Sequence, residues 1–172
     1  MKTFKILSAS AFVLIAFSAT SNAQSTASAS ATATIVTPIS ISKSGTDLDF
    51  GKIAVGTSGG TVVIATDGTR TRTGGLTLPP SNLGTVSAAQ FTVTGNASYT
   101  YAITLPTTVT LTHSNNSNTM TASSFGTSIG STGTLNASGS QSFNVGATLT
   151  VANSQLAGTY TNASFDVTVN YN

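Results

Sequence analysis

Apolar and polar side chains alternate along most of this chain, and the clearest instance is its C-terminal stretch. Ala163, Phe165, Val167, Val169 and Tyr171 are separated by Ser164, Asp166, Thr168 and Asn170. Successive side chains of a strand project to opposite faces, so the pattern predicts a strand with one face on a core and the other in water. Such a strand is expected to lie inside a sheet or to be paired by something else.

The same period recurs upstream. Leu48 and Phe50 alternate with Asp47 and Asp49 ahead of Gly51. Val62 and Ile64 precede Asp67-Gly68, a strong hairpin signal. Leu76 and Leu78 lie between Gly74-Gly75 and Pro79-Pro80, which reads as a short strand ended by a rigid loop. Ala89, Phe91 and Val93 share one face before Gly95-Asn96, and Tyr99, Tyr101, Ile103 and Leu105 share another before Pro106. Val109 and Leu111 lead into a polar loop at residues 114–118, Met120 and Ala122 form a weaker strand, and Leu135 opens another. Phe143, Val145, Ala147, Leu149 and Val151 make one long strand in which Gly146 marks a bulge.

No segment beyond the first 23 residues has a helical period. One-sided alternation with turn residues at short intervals predicts an all-β protein, an Ig-like or pilin-like antiparallel β-sandwich of about eight to ten short strands. The expected core is Ile39, Ile41, Phe50, Val62, Ile64, Phe91, Val93, Tyr101, Ile103, Val109, Leu111, Phe143, Val145, Leu149, Val151, Phe165, Val167 and Val169.

The N-terminal third alternates in a weaker key. In residues 24–34, Ala27, Ala29, Ala31 and Ala33 oppose Ser28, Ser30, Thr32 and Thr34, and the phase continues through Ile35, Ile39 and Ile41. This extension reads either as a flexible tail or as an extended, donor-like strand waiting for a groove. Residues 35–42 read as a true strand, with Pro38 at an edge or bulge position. A single sandwich domain is expected over residues 35–172.

Residues 1–23 change the compartment. Lys2 and Lys5 precede an uncharged, mostly apolar run, and Ser21-Asn22-Ala23 supplies the small residues of a cleavage site. This reads as a secretory signal peptide, too short for a membrane span, with cleavage after Ala23. The expected location is the periplasm, cell surface or extracellular space, with no transmembrane segment in the mature chain.

Charge then drops out of the picture. The formal net charge of +2 comes from the two leader lysines. The remainder balances Lys43, Lys52, Arg70 and Arg72 against Asp47, Asp49, Asp67 and Asp166. No basic stripe is left for nucleic acid. With no cysteine, the fold relies on burial and hydrogen bonding. A near-neutral surface rich in Thr, Ser, Asn and Gly has few of the lysines and inward charges that normally block edge strands, which favours association.

Candidate chemistry is sparse. His113 is the single histidine, in phase with Val109 and Leu111, and reads as a structural residue at the core margin. Asp47-x-Asp49 reads as a surface pair because hard-cation sites need six or more oxygens. Arg70-x-Arg72 reads as protection of a hairpin edge. Residues 56–60 are glycine-rich but open no helix, so they form no phosphate cradle. Asn96, Asn115, Asn136 and Asn162 begin N-x-S sequons, which matter only in a glycosylating host. No enzyme activity, cofactor or metal is expected.

Several stretches together carry a family resemblance. They are Leu48-Asp49-Phe50-Gly51, Gly60-Thr61-Val62, residues 89–95, residues 143–149, Ala157-Gly158-x-Tyr160, and Phe165-x-Val167-x-Val169-x-Tyr171. Over about residues 35–171 the chain resembles a bacterial exported family known as domain of unknown function 4402. More distantly it is similar to spore coat protein U-type domains and chaperone–usher pilins, on Gly158-x-Tyr160 and the terminal strand with Tyr171 next to last. It lacks the disulfide of many pilins, and its N-terminal alternation is mostly Ala.

The resemblance implies donor-strand assembly, with a second copy or a periplasmic chaperone and usher as partners. The residues expected to carry pairing are Ile35, Ile39, Ile41, Tyr160, Phe165, Val167, Val169 and Tyr171. The expected function is an exported structural or surface subunit assembling by strand addition. The alternative is a self-contained secreted module binding glycan through loops such as residues 114–118. A missing strand favours the first, and a complete sandwich without an open groove favours the second.

Overall fold

The computed structural model describes residues 23–172 apart from Asn82 and Ala163. Apart from Ala23, the expected leader lies outside the described residues. The chain divides into two compact units, Met1–Thr34 and Ile35–Asn172. Residues 23–34 carry no regular secondary structure and all are exposed. Among the described residues no helix is long and apolar enough to cross a membrane.

All strands lie in the second unit, and the described residues show thirteen of them. They are β1 (Ser40–Lys43), β2 (Ala54–Val55), β3 (Gly60–Ile64), β4 (Arg70–Arg72), β5 (Leu76–Thr77), β6 (Ala89–Thr94) and β7 (Thr100–Thr104). Then come β8 (Thr108–His113), β9 (Thr119–Thr127), β10 (Thr132–Thr134), β11 (Ser140–Val151), β12 (Tyr160–Thr161) and β13 (Thr168–Tyr171). The excess over the expected eight to ten comes from β2, β4, β10 and β12. These are two- or three-residue ladders, too short to show a period.

Every pairing between these strands is antiparallel. The large sheet runs β1-β6-β11-β9-β8-β12, with β3 also on β11 and β4 on β3. Across from it lie a three-stranded sheet, β10-β7-β13, and the β2-β5 pair. The fold is an antiparallel β-sandwich.

β11 is the spine. One of its edges pairs β6 up to Val145↔Ala89 and β3 from Ala147↔Ile64 onward. Gly146 sits at that hand-over, where an added Cβ would lie 2.2 Å from the Ile64 carbonyl oxygen. Its other edge pairs β9, where the register slips between Gly146 and Thr148. The bulge expected in β11 is therefore at the expected place, but β9 supplies the extra residue. There Ser124 takes a positive φ of 51°, as the inserted residue of a bulge often does.

The inward face of β11 serves two adjoining cores. Phe143 and Val145 pack with Ala89, Val93, Tyr101, Ile103, Leu135 and Val169, joining the large sheet to the three-stranded one. Ala147, Leu149 and Val151 pack with Phe50, Val62, Ile64, Leu76 and Ala122 under the β2-β5 pair. Leu76, Leu135, Ala122 and Ala147 are buried core beyond the expected set. Each is small or isolated between polar neighbours, so alternation under-weights it. Tyr101 is fully buried, and its hydroxyl donates to Gln141 Oε1 at 2.8 Å. Burial pushes its phenol above the ordinary value of 10.0, which keeps the donor protonated.

Two expected strands are shorter than the pattern suggested. The strand expected over residues 35–42 begins only at Ser40, because Pro38 has no amide to donate to a ladder and Ile35 is 98% exposed. The strand expected over residues 163–171 pairs only from Thr168. Residues 164–167 keep the alternation of exposure, with Phe165 and Val167 half-buried, but belong to no sheet.

Candidate functional site

The incomplete terminal strand borders an incomplete layer. Between residues 47–53 and residues 158–165 the sandwich has a groove of about 1050 Å³. Its floor is the inward face of the large sheet, through Phe91 of β6, Leu149 of β11, Met120 of β9 and Leu111 of β8. Leu48, Phe50 and Ile53 line one wall, and Tyr160 and Phe165 the other. Except for Phe50 and Leu149, these apolar side chains are only half-buried. The rim is polar: Lys43 pairs with Asp47 at 2.9 Å, and both are exposed.

The first wall is braced by hydrogen bonds to its backbone. Asp49 and Ser87 exchange backbone hydrogen bonds of 2.9 and 3.1 Å. Arg70 Nη1 donates to the carbonyls of Phe50 and Lys52 at 2.9 and 3.2 Å. Arg70 therefore does more than guard the β4 edge, because it ties that edge to the wall. In extended backbone, successive residues turn their N–H and C=O groups to opposite sides. With Asp49 facing Ser87, the backbone groups of Leu48 and Phe50 turn the other way, and there the Phe50 carbonyl meets Arg70. Among the described residues the Leu48 backbone groups and the Phe50 amide have no hydrogen-bond partner.

The second wall shows the same gap. Residues 164–167 make no backbone hydrogen bond to a described residue. Just before them, Asn162 Nδ2 is buried without a partner. A smaller cavity of about 460 Å³ lies on the other side of this segment, lined by Thr104, Pro106 and Val109 together with Asn162 and Phe165. The segment is held instead by its rings. Phe165 meets Phe91 edge-on at 6.2 Å and Phe125 at 5.4 Å. Ser164 and Asp166 are exposed while Phe165 and Val167 are half-buried, so this extended backbone lies at the surface beside the groove.

His113 anchors the base of this wall. The Asn115 amide donates to its Nδ1 at 3.0 Å, which assigns the ring proton to Nε2. Nε2 then donates to the Ala157 carbonyl at 3.2 Å. The ring also stands edge-on to Tyr160 at 4.8 Å. A Cβ on Gly158 would lie 2.0 Å from Nε2, so only glycine passes over the imidazole here. Tyr160 is fixed in turn, since its hydroxyl donates to the Leu156 carbonyl and accepts from Gln155 Nε2, each at 2.8 Å. Among the described residues no group of three His, Cys, Asp or Glu side chains could hold a metal ion.

The residues expected to carry pairing fall into four places. Tyr160 and Phe165 line the groove, and Val167 flanks it on the same extended segment. Val169 is buried opposite Ile103, and Ile39 and Ile41 pack on the core it belongs to. Tyr171 fastens the N-terminal strand: its hydroxyl donates to the Thr37 carbonyl at 2.8 Å and accepts from the Asn96 amide at 2.6 Å. Ile35 stands in solvent. Leu48, Phe50, Leu111 and Met120 complete the groove and were readable only as ordinary core or strand positions. Asn162 carried no signal in the sequence beyond a sequon.

No curated protein and no solved structure matches the chain. The family model described as Domain of unknown function (DUF4402) matches residues 39–171, which span both walls and the floor of the groove. The chain belongs to that domain family.

Proposed function

We propose that this protein is an exported, non-enzymatic structural subunit of a surface assembly, and that the groove accepts an added β-strand. The observation that carries this reading is the half-buried apolar groove, bordered by Leu48 and by residues 164–167, whose backbone groups have no hydrogen-bond partner among the described residues. A strand laid in the groove covers Phe91, Leu111 and Met120 and brings its own backbone beside these stretches. Main-chain bonds supply affinity, and the floor selects alternate side chains. The likeness to pilins in Gly158-x-Tyr160 and the terminal alternation supports the same reading.

Amide hydrogen exchange tests it. In the isolated protein the amides of Leu48, Phe50, Phe165 and Val167 exchange quickly, while those inside β11 are protected. In the assembled form the four groove amides become protected. Protection of all four in a stable monomer, or none in an assembly, overturns the reading.

A further inference from the structure

The large sheet turns a regular array of hydroxyls to solvent on the side away from the groove. In β8, in the first half of β9 and at the end of β11, threonine or serine occupies every second position. Antiparallel register sets these residues side by side. Thr110, Thr121 and Thr150 form one row across the three strands, and Thr108, Ser123 and Thr148 form the next. Thr112 and Thr119 begin a third. The residues between them, Val109, Leu111, Met120, Ala122 and Leu149, pack on the core, so the array and the groove floor are opposite faces of the same strands. We infer that this array is an ice-binding face, its occupant the ordered water layer of an ice crystal.

The spacing carries the inference. Neighbouring residues of a row lie about 4.5–5.5 Å apart across the strands. Successive rows lie about 6.8 Å apart along them. Hexagonal ice repeats its oxygens on a rectangle of closely similar sides on the faces parallel to its unique axis. The hydroxyls are also available. Further along the same sheet the outward hydroxyls bond one another, Ser40 with Thr94 at 2.8 Å and Thr92 with Ser142 at 2.7 Å. The hydroxyls of the array have no hydrogen-bond partner among the described residues, and Thr108, Thr110, Thr119, Thr121 and Thr150 are exposed.

Charge and stiffness favour the same occupant. β8, β9 and β11 contain no Asp, Glu, Lys or Arg. A charge would orient water radially about itself and compete with a crystal lattice, so the bare neutral face complements a neutral one. Threonine's branched Cβ restricts its χ1 rotamers, and a side chain already fixed loses little freedom when its water is fixed too. A neutral polysaccharide shares the hydroxyl chemistry, but sugar rings favour aromatic platforms, and none of these side chains is aromatic. Twist limits the match. Adjacent strands rotate by about 20–25°, so register with a flat crystal extends over three strands, a patch of about 10 by 14 Å. A patch of that size is expected to slow the growth of large ice grains at the expense of small ones rather than to depress freezing strongly.

Ice recrystallisation tests this. The full chain is flash-frozen in sucrose solution, annealed just below melting, and its ice grains are followed by microscopy. They are expected to stay smaller than with an equal concentration of a protein lacking such a face. Thr121→Lys, at the centre of the array, and separately Thr110→Lys are expected to lose this effect with the melting temperature of the parent. Thr100→Lys, exposed on the three-stranded sheet, is expected to keep it. Coarsening as fast as with the comparison protein overturns the inference, and so do folded Thr121→Lys and Thr110→Lys variants as active as Thr100→Lys. Retention on crystalline cellulose without any effect on ice, lost in Thr121→Lys, assigns the face to a polysaccharide and overturns it as well. The outcome is independent of strand addition in the groove, because the substituted side chains lie on the other face of the sheet.

Discussion

Residues 164–167 and residues 168–171 have the same alternation and different fates. Val169 and Tyr171 sit in a ladder with β7, with Val169 buried opposite Ile103. Phe165 and Val167, four and two residues before Val169, keep the same alternation but have no strand beside them. The difference is the neighbour. β7 ends at Thr104, just before Pro106, so the ladder has nothing to continue on. Alternation therefore reports which face of a segment is greasy. It does not report whether the backbone edge is satisfied.

Substitutions along this one segment break or sharpen the contrast. The largest effect is expected for Val169→Asp, which buries an unpaired charge in a two-sheet core and costs about 4 kcal/mol, enough to unfold a marginal domain. Urea denaturation measures it, and a loss below that of Val167→Asp would show that the paired half is not the better-buried half. Tyr171→Phe removes one hydroxyl that serves Thr37 and Asn96 together, an expected loss of about 2 kcal/mol. Val167→Asp is expected to cost about 1–2 kcal/mol, because its side chain is half-buried beside an open groove and the charge can reach water. Thr168→Asp, exposed on the other face, is expected to stay within about 0.5 kcal/mol of the parent. A larger drop there than at Val167 would mean the phase is reversed.

The smallest effect concerns pH, and it separates the groove from the rest of the surface. Asp67, in the β3–β4 turn, accepts from the Thr69 amide at 2.8 Å, and that bond lowers its carboxyl below the ordinary value of 3.8. A depressed acid contributes stability above its unfolded value and loses it as pH falls through the folded one. The melting temperature is therefore expected to stay level from about pH 8 to 5 and to decline only in stronger acid. Addition of an uncharged strand to the groove should be equally level over that range. A steep pH dependence of association would point to a charged contact at the rim instead.

Strand positions and the inward face of β11 were legible because burial on one side imposes a period of two. Phe143, Val145, Leu149 and Val151 alternate with polar residues, and every one is buried. The Asp67-Gly68 turn and the bulge near Gly146 were legible because backbone geometry restricts residue type. The groove was not. Leu48, Phe50, Leu111 and Met120 look like any core alternation, and only packing reveals that they share a gap. Asn162 and the bracing bonds of Arg70 depend on partners distant in sequence, so no local pattern announces them.

By itself, then, the chain determined an all-β sandwich, the inward face of most strands, and an N-terminal arm too small in side chain and too free of charge to make a core of its own. Those are consequences of local period, propensity and composition. The tertiary structure decided where the sheets stop. It ended the β13 ladder at Thr168 and left the backbone of Leu48 without a partner among the described residues. Whether a backbone edge finds a partner depends on which remote segment lies beside it, and that is a property of the assembled layers, not of any one stretch of residues.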